Sequence, residues 1–108
     1  MTTTLAWTAL VVSGLIDVAW ALAMKKADGF ANPLWSAISL GLLAVFVYLL
    51  TRALQVLPVG TAYAVWTGIG AAGTVVAGIL LFAEPASPLR LLFIAMVVAG
   101  IVGLKVVS

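Results

Sequence analysis

Residues 5–24 read LAWTALVVSGLIDVAWALAM, a run from Leu5 to Met24 whose single charged residue is Asp17. About 20 apolar residues in an α-helix rise about 30 Å, the thickness of the hydrocarbon core of a bilayer. The run is therefore read as a membrane span. The same pattern recurs along the chain. Lys25-Lys26-Ala27-Asp28-Gly29 closes the first run, and Asn32-Pro33 prepares a second helix start. Leu34 to Leu50 carries no charge and closes at Arg52 and Gln55. Pro58 opens a third segment, since proline is tolerated in a first helical turn where its missing N–H has no partner anyway. Glu84-Pro85-Ala86-Ser87-Pro88 closes that segment, and Leu89 to Val107 forms a fourth, with Arg90 and Lys105 near its ends, where long side chains snorkel to the interface. The expected fold is all-α, a single domain over residues 1–108 with transmembrane helices at about 5–24, 34–51, 58–83 and 89–107. The connections are short, so successive helices should run antiparallel.

Composition agrees with that reading. Of 108 residues, 66% are hydrophobic and 7% charged, against roughly 45–50% and 25% in soluble domains. A water-soluble monomer is excluded. Four spans take about 80 residues and leave about 28 for every loop and both ends. The chain has no cysteine and no histidine, which removes disulfides, thiol nucleophiles, Cys/His metal sites and imidazole chemistry. No nucleophile–base pair or metal-ligand cluster is present, so neither an enzyme nor a cofactor is expected. A net charge of +2 makes no basic patch for nucleic acid. Met1-Thr2-Thr3-Thr4 lacks the basic residues of a signal peptide, and although Ala21-Leu22-Ala23 resembles a cleavage site, the first run is read as retained. Lys25, Lys26 and Arg90 fall on one side of the membrane and Arg52 and Lys105 on the other. Orientation follows such bias, and three against two is almost none. A chain so balanced could insert both ways round, letting two copies meet as an antiparallel pair.

Seven of the eight charged residues lie in loops or near span ends; Asp17 does not. As the thirteenth residue of its run it sits about 4 Å from the midplane. An aspartate there costs about 2.5–3.5 kcal/mol on insertion scales, so it needs a partner, a proton or water. With no intramembrane Lys or Arg to neutralise it, an ion or proton site is the reading favoured over a tolerated polar contact. Ser13, Gly14, Trp20 and Ala21 share its helical face. A carboxylate beside an aromatic wall suits a weakly hydrated, flat or greasy cation. In the third segment Tyr63 and Trp66 are again one turn apart, although both residue types also favour the membrane interface. Gly68-Ile69-Gly70 weakens that helix at mid-membrane and is a candidate hinge. Gly100 and Gly103 make a small-residue face suited to dimer packing.

Several stretches carry a family likeness: residues 58–70, PVGTAYAVWTGIG, together with Gly29-Phe30, Glu84-Pro85 and Gly100-Ile101-Val102-Gly103-Leu104-Lys105. Across essentially its whole length the sequence resembles the small multidrug resistance family of proton-coupled antiporters. Trp20, three residues after the acid, is similar to the guanidinium exporter branch. The resemblance implies an antiparallel homodimer of four-helix subunits in the bacterial inner membrane, whose paired first-helix carboxylates bind substrate or protons in turn. Asp17 would be the shared acid, lined by Ser13, Gly14, Trp20, Phe46, Tyr63 and Trp66, with Ser13 hydrogen-bonding it. Two departures stand out. The family acid is normally glutamate, one methylene longer and about 0.4 pKa units less acidic. Near Phe46 the family usually has a serine that helps hold the acid, whereas Ala44-Val45-Phe46-Val47-Tyr48 offers no hydroxyl before Tyr48. The expected function is export of small guanidinyl cations in exchange for protons by alternating access. Alternatives are export of hydrophobic quaternary ammonium ions and, from another class, a structural or regulatory membrane subunit in which Asp17 pairs with a partner's base. A second, related chain could replace one copy in the dimer.

Overall fold

The computed structural model describes residues 2–107 as helices α1 (Thr3–Ala27), α2 (Pro33–Leu54), α3 (Val59–Leu81) and α4 (Pro88–Val107). All four are long and apolar enough to cross a membrane, and the chain is a multi-pass membrane protein. Each start has a local cause. Thr2 Oγ1 accepts from Leu5 N at 3.2 Å, and Asn32 Oδ1 accepts from Leu34 N at 3.1 Å ahead of Pro33, so backbone donors that a helix leaves unpaired are satisfied. Ser87 Oγ does the same for Arg90 N at 3.2 Å before α4. Pro58 precedes α3 without a side-chain cap.

The helix ends differ from the sequence expectation by a few residues. α1 continues through Lys25 and Lys26 to Ala27, because basic residues in a last turn complement the negative end of the helix dipole and water already reaches them. It is then stopped by left-handed residues at Asp28, Gly29 and Phe30, with φ of 51°, 66° and 68°. α2 runs on to Leu54, and α3 ends at Leu81 rather than 83, with Ala83 left-handed at φ 54°.

α1 packs along α2 and α3, while α4 lies beside α3. The buried seam consists of Ala6, Ala9, Leu10, Ala53, Leu57, Ala62 and Val65. Alanine dominates because lipid is as apolar as leucine, so helices in a membrane associate by close backbone approach rather than by hiding large side chains from water. Glycines bring α1 and α3 closer still: a Cβ on Gly14 would lie 2.7 Å from Ile69 Cγ2, and one on Gly73 2.6 Å from Val18 Cγ2. The larger side chains, among them Leu5, Leu15, Leu80, Leu81 and Phe93, face outward toward the acyl chains. The chain forms a slab of 41 × 35 × 17 Å, and no described residue of α4 is buried within it.

At one end of the bundle Glu84 joins two bases. Its Oε2 lies 3.4 Å from Lys25 Nζ, and its Oε1 lies 3.4 Å from Arg90 Nη2. Lys25 Nζ also sits 4.5 Å over the Phe82 ring. Gly78 leaves the room for this, since a Cβ there would collide with Glu84 Oε1. The end of α1 is thereby fastened to the α3–α4 connection.

Candidate functional site

Asp17 lies two residues from the centre of α1, which is about 3 Å along the axis. Among the described residues its carboxylate makes no hydrogen bond and no ion pair, and both ion pairs of the structure belong to Glu84. The acid is half-buried against α3 at Gly70, where a Cβ would collide with Asp17 Oδ2 and lie 3.3 Å from its Cγ. Any side chain at residue 70 would occupy the carboxylate's position.

One turn further along α1, Trp20 begins a wall of aromatic rings. Trp20 meets Phe46 of α2 edge-on, with centroids 5.6 Å apart and planes at 64°. Phe46 meets Trp66 of α3 at 5.6 Å, and Trp66 meets Tyr63 at 5.8 Å. The structure thus brings together four of the expected lining residues, drawn from three helices. Tyr63 is exposed at the open end of the wall, while Phe46 is only 5% exposed at its middle. Trp66 Nε1 is buried without a hydrogen-bond partner among the described residues. Burying an unpaired donor costs about 1–3 kcal/mol, and the donor is free for an acceptor that reaches the wall.

Two of the expected lining residues sit differently from the sequence expectation. Ser13 is fully buried and donates its hydroxyl proton to the Phe46 carbonyl oxygen at 2.8 Å, not to the acid. It is a polar clamp between α1 and α2, and its reach to a main-chain atom 33 residues away left no mark in the sequence. Gly14 is buried beneath Ile69, so it serves the α1–α3 seam and not the wall. Gly68 and Gly70 lie within an unbroken α3. Gly68 receives Ile101 of α4, whose Cδ1 would be 2.8 Å from a Cβ, and Gly70 receives Asp17. Both are close-approach glycines. Gly100 and Gly103 are the opposite case, because a Cβ on either would meet nothing within 4 Å, and they line an open groove of about 620 Å³ with Ala64, Gly68 and Val97.

The Glu84 contacts to Lys25 and Arg90 were not anticipated. The available signal was that all three residues fall on one side of the membrane, where two acids, Asp28 and Glu84, lie among three bases. Among the described residues no group of three or more Asp, Glu, His or Cys side chains could hold a metal ion. The arrangement offers one unneutralised carboxylate at mid-bilayer, flush with a neighbouring helix and adjoining an aromatic surface. A carboxylate so placed can take up a proton or pair with an organic cation.

Comparison with known proteins places the chain. The family model described as Small Multidrug Resistance protein matches residues 5–97. The chain is 48% identical over 101 residues to a guanidinium exporter of Citrobacter freundii, covering 94% of this chain and 96% of that one. The same figures hold for a guanidinium exporter of Salmonella typhimurium. A guanidinium exporter of Yersinia pseudotuberculosis serotype I (strain IP32953) is 49% identical over 104 residues, covering 96% of this chain and all of its own length.

Proposed function

Because the chain belongs to the small multidrug resistance family, we propose that it exports guanidinyl cations across the bacterial inner membrane, with substrate and protons competing for Asp17. The observation that carries this is the half-buried acid of α1, which has no counter-charge among the described residues and lies beside a continuous aromatic wall. A cation entering there supplies the missing positive charge; a proton removes the negative one. Either offsets the cost of a bare carboxylate there, and one carboxylate cannot be protonated and ion-paired with a cation at the same time. Competition couples the two fluxes as long as the bare, ionised site does not itself cross between the two faces, with no cofactor, nucleotide or covalent step.

Competition fixes the sign of a pH effect. Substrate binds the ionised acid, so in proteoliposomes the apparent affinity for guanidinium should rise with pH and level off once the acid is ionised. Below that plateau it should fall by up to about tenfold per pH unit for each proton displaced. Titrating guanidinium-driven proton movement from pH 6 to 9 measures this, and an affinity indifferent to pH across the range would refute shared use of Asp17.

We further propose that two copies assemble antiparallel through α4. The support is a helix with no buried residue, carrying two glycines that the subunit's own fold does not require. Gly100→Leu or Gly103→Leu should leave helix content unchanged while weakening dimerisation by at least about tenfold, since a large residue blocks close approach of a second helix. Cross-linking and mass measurement in detergent read the result, and intact dimers in both variants would assign this face to lipid instead.

A further inference from the structure

The aromatic wall has a property of its own that bears on which guanidinyl ion it accepts. A bare guanidinium ion presents six N–H bonds in one plane, and a single carboxylate takes two of them as a fork. The others need acceptors, and the wall is poor in them. Residues 41–47 of α2 contain no hydroxyl, amide or acid side chain, and the Phe46 carbonyl already accepts the Ser13 hydroxyl at 2.8 Å. At this part of the site the remaining N–H groups would face ring carbon, where unmade hydrogen bonds count against binding. An alkyl or aryl group on one nitrogen reverses the balance. It removes a donor, and its apolar surface lies along rings spaced 5.6 Å apart on either side of Phe46, which favour edge-on and tilted contacts with another flat group.

We infer that Phe46, held in place by Ser13, is a specificity-determining residue that selects N-alkyl- and N-aryl-guanidinium ions over guanidinium itself. The inference rests on the exporter reading above and deepens it. Phe46 supplies the ring that joins Trp20 of α1 to Trp66 of α3; itself nearly enclosed, it acts by holding in line the half-buried Trp20 and Trp66 rings along which an apolar substituent lies. Ser13 is a positioning residue: its hydrogen bond pins the main chain of α2 at the residue whose side chain forms the middle of the wall.

The test compares guanidinium with phenylguanidinium in proteoliposomes of the wild type, Phe46→Ser and Phe46→Leu, reading the ratio of apparent affinities. The wild type should favour phenylguanidinium by about tenfold or more. Phe46→Ser should shrink that ratio about tenfold by supplying a hydroxyl and removing a ring. Phe46→Leu keeps apolar bulk should the serine variant fail to fold, and it should shrink the ratio about threefold through loss of the ring contacts that align Trp20 and Trp66. Ser13→Ala should lower the same ratio while leaving guanidinium turnover within about threefold, a pattern that general destabilisation does not produce. A wild type that prefers guanidinium, or a ratio unmoved in active Phe46 variants, overturns this inference and leaves the exporter reading standing. A wild type that moves neither cation overturns both.

Discussion

Proteoliposomes containing Asp17→Asn should show no guanidinium-driven proton movement, a loss of at least about thirtyfold. Truncating the charge that pairs with a buried ligand typically costs about 2–5 kcal/mol, and about 1.4 kcal/mol is a factor of ten. Asparagine matches aspartate in shape, so the contact with Gly70 is kept. It carries neither the charge proposed to hold the cation nor a titratable proton to exchange. Removing a charge from mid-bilayer also makes α1 easier to insert, so the variant should fold at least as well as the wild type. Normal expression and an oligomeric mass equal to the wild type's, combined with absent exchange, would therefore locate the loss in the site. Asp17→Glu, which restores a carboxylate, should retain exchange with a changed pH dependence. Antiport that survives the asparagine substitution would remove the acid from the mechanism.

The second large effect is expected at Gly70. Gly70→Ala places a methyl group where Asp17 Oδ2 now lies, so either the carboxylate swings away or α1 and α3 separate. Overpacking of this kind costs about 1–3 kcal/mol, and guanidinium exchange should fall by at least about tenfold, with Gly70→Val worse. Gly73→Ala is the control. Its Cβ would lie 2.6 Å from Val18 Cγ2, a comparable insult to the same seam one turn on that does not touch the acid. Thermal stability should fall in both variants, whereas transport per folded protein should fall only at residue 70. Equal loss of transport in the two would mean that Gly70 matters for helix packing alone.

Much of this was legible in the sequence. Asn32-Pro33 and Pro58 mark helix starts through backbone chemistry, and Asp17 stands out because it alone among the charged residues lies far from water. The family likeness of residues 58–70 pointed to the family whose model matches residues 5–97. What the sequence concealed is how the helices meet. In a soluble protein the apolar stripe of a helix shows which face turns inward. Here apolar residues surround every helix, so Gly14 read as site lining when it lies under Ile69. Ser13 and Asp17 share a helical face, which made a hydrogen bond between them the natural expectation, yet the hydroxyl finds the Phe46 carbonyl of another helix. Gly70 was conspicuous as a helix breaker, and nothing in the sequence showed that it also leaves space for the acid.

The alanine seam and the aromatic wall draw on largely separate positions, since Trp20, Phe46 and Tyr63 lie outside the buried cluster. That separation gives the scaffold freedom to evolve. A lineage meeting an unfamiliar cation can redraw the lining by single substitutions while the helix mesh stays as inherited. Divergence in what such carriers recognise can then outpace divergence in how they fold.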